Sequence, residues 1–187
     1  MDYKKQLNGM NAIGTNLKDA YILTTQIYED NRGSFKESFN LREVQKIIGN
    51  YEFVQDCHST SVKNVVRGLH YQIQHSQGKI VRCLHGEIYD VIVDLRRGSE
   101  TFGEWLGTKL TPGPTQLWVP PGFAHGFSVL SPVAEVLYKV TDYQYKEYER
   151  TLLWNDEQLN IDWQVGDSIM SEKDKKGVSF KECDKYE

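Results

Sequence analysis

Cysteine is scarce in this 187-residue chain, and the three present do not cluster. Cys57, Cys83 and Cys183 are an odd, scattered set without a C-x-x-C pair. That spacing speaks against a disulfide framework and against a thiolate zinc site, and it predicts a reducing, cytoplasmic setting. Basic charge is not in excess either. Lys and Arg total 22 against 26 Asp and Glu, a formal net charge of -4, so the global electrostatic footprint of a nucleic-acid binder is missing. No apolar run approaches the ~20 residues of a membrane-spanning helix. The opening Met1-Asp2-Tyr3-Lys4-Lys5-Gln6-Leu7 has no apolar stretch of the secretory kind, so no signal segment is expected. A G-x-G-x-x-G run is also missing, which argues against a dinucleotide fold.

What is present is a series of short β-rich runs. They cover residues 21–28, 34–39, 51–55, 64–72, 79–84, 87–95, 104–110, 115–119, 126–130 and 134–141. Many alternate apolar and polar residues, as in Ile88-Tyr89-Asp90-Val91-Ile92-Val93-Asp94, the period of a strand with one buried face. Gly33, Gly78, Gly86, Gly98, Pro112-Gly113-Pro114 and Pro120-Pro121-Gly122 punctuate them. Ten or so short strands with turns between them predict one all-β domain, a sandwich or closed barrel. One helix is predicted over 41–48, where Val44, Ile47 and Ile48 share a face. Residues 1–18 read as a loose or swapped arm, the stretch after Trp154 as helical or irregular, and the charged last dozen residues as a fraying tail.

Four features carry candidate chemistry. In Arg67-Gly68-Leu69-His70, a cation and an imidazole three apart on a regular strand point to opposite faces; a bulge at Gly68 would undo that parity. A strand histidine is, by itself, more often a structural hydrogen-bonding group than a base. Lys79 follows Gln77-Gly78 at a strand start and reads either as a solvated edge residue or as a clamp for an oxyanion. Pro121-Gly122-Phe123-Ala124-His125 sets a tight turn before a strand and resembles the second cupin motif. The first motif's H-x-H pair is missing, so no metal is expected, and His125 is either a polar barrel residue or a substrate contact. Tyr138 shares a strand face with Val136 and Val140, as core or as a proton donor.

Taken together, these stretches resemble the dTDP-4-dehydrorhamnose 3,5-epimerase family of cupin-type nucleotide-sugar epimerases. Further matching stretches are Asn31-Arg32-Gly33-Ser34-Phe35-Lys36-Glu37-Ser38-Phe39, Phe53-Val54-Gln55-Asp56, Tyr138-Lys139-Val140-Thr141, Trp154-Asn155-Asp156 and Ser171-Glu172-Lys173-Asp174. They fall in family order over roughly residues 20–176. The resemblance implies a jelly-roll barrel with a few short helices, a homodimer in which an N-terminal strand often packs on the partner, and a nucleoside-diphosphate 4-keto-6-deoxy sugar as substrate, without a cofactor. It implies His70 as general base, Asp174 as its orienting carboxylate, Tyr138 as the opposing acid and Lys79 as stabiliser of the sugar O4. Arg32, Glu37, Gln55, Arg67, His125, Gln144, Glu149 and Lys173 fall where the family binds substrate.

The chemistry needs such a set. A proton next to a ketone is weakly acidic, so its removal requires a placed base and stabilisation of the enolate oxygen. Imidazole titrates near neutrality, a carboxylate fixes its tautomer, and inversion requires a second acid on the other face of the sugar. Two positions depart from the family. Gln144 stands where an aromatic residue stacks on thymine, which leaves either Tyr143 or Tyr145 to substitute or a base other than thymine. Cys57 stands where Asn is common. A C3/C5 epimerase is the leading reading. A monoepimerase or ketoisomerase acting on a CDP-, GDP- or dTDP-linked sugar, and a non-catalytic sugar-nucleotide-binding cupin, are the alternatives.

Overall fold

The structure is a computed structural model and describes residues 4–6 and 9–187. The strands are β1 (Lys4–Gln6), β2 (Met10–Gly14), β3 (Tyr21–Thr25), β4 (Tyr28–Asp30), β5 (Gly33–Phe35), β6 (Gln55–Val62), β7 (Val66–Gln72), β8 (Lys79–His85), β9 (Ile88–Asp94), β10 (Trp105–Leu110), β11 (Thr115–Val119), β12 (Phe123–Val129), β13 (Val133–Val140) and β14 (Glu149–Thr151). Two α-helices, α1 (Leu41–Ile48) and α2 (Glu172–Lys175), and a 3-10 turn at Lys146–Tyr148 complete the set among the described residues. The strands pair antiparallel into a seven-stranded sheet, β1-β2-β3-β11-β8-β13-β6, and a five-stranded sheet, β10-β9-β12-β7-β14, with β4 and β5 as a separate hairpin. This is a cupin-type jelly roll, as expected.

Three apolar layers hold it together. Val81, Ile88, Ile92, Leu117, Phe123, Phe127 and Val136 fill the space between the sheets. α1 covers the outside of the seven-stranded sheet, where Val44 packs with Leu23, Ile80 and Trp118. The Asn40 side chain caps α1 by accepting from Arg42 N and Glu43 N, satisfying free N–H groups of its first turn. The C-terminal segment covers the five-stranded sheet: Leu159, Trp163, Phe180 and Cys183 pack on Tyr71, Val91 and Val93. Covered on both faces, β9 and β12 are buried along their whole length.

Several expectations need correcting. The run over 21–28 is broken into β3 and β4. The run over 34–39 shortens to β5, where the chain turns towards the α1 cap at Asn40. The run over 51–55 only reaches the start of β6, a strand that continues to Val62. The predicted arm over 1–18 is a paired strand at β2, with Met10 and Ala12 buried; its residues 1–3 and 7–8 lie outside the described residues. The tail does not fray. Phe180 and Cys183 are buried, Tyr71 Oη donates to Asp184 O at 2.7 Å, and Arg97 N donates to Tyr186 O at 2.9 Å. Its charges face outward while two apolar side chains anchor it, a pattern that composition alone conceals.

Candidate active site

β7 departs from regular pairing at the motif the sequence singles out. His70 lies opposite His125 of β12, but Arg67 lies opposite Phe127. Three steps along β7 thus match two along β12, a β-bulge with the extra residue on β7. Both Arg67 and His70 consequently line one cavity. Gly68 makes the bulge possible. Its φ is +119°, and a Cβ there would sit 2.6 Å from Gly126 Cα and 2.8 Å from His125 O.

The cavity opens between the two sheets and measures about 250 Å³. Sites that engulf a whole drug-sized ligand run to roughly 300–1,000 Å³, so this cavity suits a smaller group. His70 stands on the five-stranded sheet and Tyr138 on the seven-stranded sheet, both lining the cavity. His70 Nε2 is 2.5 Å from Asp174 Oδ1. Asp174 sits in α2, where Ser171 Oγ accepts from Asp174 N at 3.2 Å and donates to its Oδ2 at 2.8 Å. Burial opposes ionisation of this carboxyl, yet the hydrogen bond from His70, its charge and Ser171 together hold it below the usual carboxylate range.

Lys79 opens β8 inside the barrel with 7% of its surface exposed. Its ammonium stands 5.9 Å from the centroid of the Tyr138 ring. Burial pulls it down to about 8, against the lifting charge of Asp90 and, more weakly, Cys57 and Glu149. Burial likewise pushes the Tyr138 phenol well above its ordinary value, and the Cys57 thiol beside it adds to the rise. His125 is buried on β12, with Nε2 at 3.0 and 3.1 Å from the two oxygens of Asp90. Its imidazolium is disfavoured by burial more than the Asp90 carboxylate favours it.

Charged and amide groups ring the mouth. Arg67 Nε donates to Ser61 Oγ at 2.9 Å, leaving the guanidinium end free to meet an anion. Lys173 Nζ donates to Glu149 Oε2 at 2.7 Å, and the Gln144 amide donates to the other oxygen of Glu149. Gln55 lines the same cavity. Neither Tyr143 nor Tyr145 does: Tyr143 is exposed, and Tyr145 stacks on His75 at 4.3 Å. Gln144 itself therefore holds the position in question.

Two expected site residues are not brought to this cavity. Arg32 lies in the β4–β5 turn with its guanidinium 86% exposed and 2.6 Å from Asp30. Glu37 follows β5 and accepts from Asn40 Nδ2 at 3.1 Å. Both belong to a hairpin segment outside the two main sheets, so within one chain they point elsewhere. Asp90 was missed by sequence reasoning. Its signal was an acid on the same strand parity as Ile88 and Ile92, an inward face that should be apolar. Ser171 and the inward Ser59 and Ser61 also went unmarked. Among the described residues no group of three or more His, Cys, Asp or Glu is arranged to hold a metal ion.

Comparison with known proteins identifies the family. The family model for dTDP-4-dehydrorhamnose 3,5-epimerase matches residues 14–182. The chain is 48% identical over 178 residues to the dTDP-4-dehydrorhamnose 3,5-epimerase of Pseudomonas aeruginosa, covering 94% of this chain and 98% of that one. It is similar to the crystal structure of the Legionella pneumophila dTDP-6-deoxy-D-glucose-3,5-epimerase in complex with dTDP-4-keto-L-rhamnose, with TM-score 0.90, 46% identity and coverage of 94% and 95%. The Elizabethkingia anophelis enzyme gives TM-score 0.89 at 44% identity, covering 92% and 97%. The chain belongs to the dTDP-4-dehydrorhamnose 3,5-epimerase family.

Proposed function

We propose that this chain inverts C3 and C5 of a dTDP-linked 4-keto-6-deoxy sugar by proton abstraction and reprotonation. The observation that carries this reading is the placement of His70 and Tyr138 on opposing sheets across one cavity, with the Lys79 ammonium beside Tyr138. His70 Nε2 is committed to Asp174, which leaves Nδ1 to take the proton next to the ketone; the carboxylate then stabilises the imidazolium. Lys79 meets the charge that grows on the ketone oxygen as the enolate forms. Tyr138 delivers a proton from the opposite side, so the returning hydrogen inverts the centre rather than restoring it. Arg67 and Lys173 at the mouth suit a diphosphate. Gln55, His125, Gln144 and Glu149 complete the substrate contacts.

The chain acts as a homodimer in the cytoplasm on this reading, as one catalytic domain. Support for the dimer comes from the β4–β5 hairpin. It exposes Tyr28 at 61% and Phe35 at 70%, and it holds Arg32 and Glu37 away from the cavity of their own chain, where a partner's cavity would receive them.

Proton NMR in deuterated water tests the function. With dTDP-4-keto-6-deoxyglucose the enzyme should take up deuterium at C3 and C5 and invert both centres, and His70→Ala should lower the rate by ~10²–10⁴-fold. Exchange at one centre alone would reassign it as a monoepimerase. Gln144 motivates parallel runs with the CDP- and GDP-linked sugars. An aromatic stack on a base is worth roughly 1–3 kcal/mol, so faster turnover of either would place the base preference away from thymine. No exchange with any of the three would sink the proposal.

A further inference from the structure

Cys57 faces the cavity and has no role in the chemistry above. β6 carries it, and in the sheet register it lies directly across from Tyr138 of β13. Both side chains line the cavity. Gln55, two residues earlier on the same inward face, donates its amide Nε2–H to Cys57 Sγ at 3.3 Å. Lys79, more than nine-tenths buried, lines the same space. The other two thiols are buried in the packed layers.

We propose that Cys57 is a positioning residue that acts through Tyr138, resupplying the phenol with a proton after Tyr138 has protonated the sugar. The inference rests on Tyr138 being the acid opposite His70. The protons balance over a cycle. The Tyr138 O–H bond breaks as a C–H bond forms on the enolate carbon, which leaves a phenolate. The Cys57 S–H bond then breaks as the phenol O–H re-forms, which leaves a thiolate. Water reprotonates the thiolate, and the His70 imidazolium returns its own proton to water.

The energetics run in that direction. A free thiol, with pKa about 8.5, is a stronger acid than a free phenol at about 10, and burial pushes the phenol here higher still. The transient thiolate has two stabilising neighbours: the Gln55 N–H aimed at the sulfur, and the Lys79 ammonium, on which Cys57 exerts a charge effect. Inversion at two centres of one bound sugar calls on the acid twice, and Cys57, standing where Asn is common in the family, is placed to resupply it in this chain.

Deuterium exchange and inversion, followed together by NMR in deuterated water, separate the steps. Exchange reports His70; inversion reports Tyr138. Tyr138→Phe should exchange while inverting little. Cys57→Ala and Cys57→Ser should each raise the ratio of exchange to inversion by about tenfold or more. The serine variant is the sharper test: it keeps a hydrogen-bonding group of similar size but is too weak an acid to resupply the phenol. A loss of fit alone would slow exchange and inversion together and leave the ratio unchanged. Wild-type ratios in both cysteine variants, or wild-type behaviour restored by serine, would overturn the relay and leave the epimerase reading standing. A wild-type enzyme that neither exchanges nor inverts would overturn both.

Discussion

Burial sets the behaviour of Lys79 with pH. With its pKa lowered from 10.5 to about 8, folding and catalysis respond oppositely. Between those two values the unfolded chain holds a proton that the folded chain gives up, so the stability contribution rises with pH across that window. Below about 8 the full cost of the buried charge is present. On the proposed mechanism, however, the enolate needs the charged form. The kcat/KM of the wild-type enzyme should therefore fall as pH rises through about 8. The anionic substrate raises the ammonium's affinity for its proton, so the limb in kcat should lie at higher pH. Lys79→Arg keeps its charge throughout; it should be slower, because a planar fork replaces a compact ammonium, and its alkaline limb should vanish. Paired pH–rate profiles of the two enzymes check this. A limb at the same pH in the arginine variant would assign it to another group.

At the scale of one strand, the bulge in β7 brings two side chains of opposite parity to one site. Gly68→Ala should destroy that arrangement. The added Cβ meets the backbone of β12 at 2.6 Å, and the positive φ disfavours any side chain. The cost should exceed ~1 kcal/mol in urea unfolding, with loss of epimerisation in the folded fraction; unchanged stability and rate would contradict the bulge. Parity analysis of Arg67 and His70 already pointed to this glycine. Other elements were legible where side chains obey one environment. α1 has its Asn40 cap and a single apolar face, and its limits were read correctly. β6 was not legible because its inward residues are polar or small: Gln55, Cys57 and Ser59 line the cavity, and Ser61 accepts from Arg67. Strand periodicity is read from apolar side chains, and here the functional surface replaces them with polar ones. β14, three residues long and half-buried, offers no period to read. Motif order marked His70, Lys79, Tyr138 and Asp174 as candidates, whereas Asp90, on the same strand parity as Ile88 and Ile92, belongs to no motif.

Across the whole molecule, the segment after β14 does two jobs at once. It seals the outer face of the five-stranded sheet, and it carries Asp174 to His70. Which strands would pair was not legible from the runs themselves, since β3 joins β11 and β6 joins β13 across long stretches of chain; the family resemblance implied the jelly-roll class but no pairing. Nor did the charged tail announce that Phe180 and Cys183 close the structure. Phe180 is 4% exposed, packs on Phe102 at 5.6 Å, and its N–H donates to Asp156 Oδ2 at 2.7 Å. The Asp156 carboxylate also accepts from Gln158 N and Leu159 N, so one buried carboxylate ties the tail to the preceding loop. Phe180→Ala removes the apolar plug while keeping those backbone bonds. It should cost roughly 3–5 kcal/mol, measured as a drop in the urea midpoint. Turnover by the protein that remains folded should stay close to wild type, because Ser171 and α2 hold Asp174 through local contacts. A loss below ~1 kcal/mol would show that the tail rests on the sheet without belonging to its cooperative core. A large fall in kcat with the fold intact would mean that the tail helps aim Asp174 at His70.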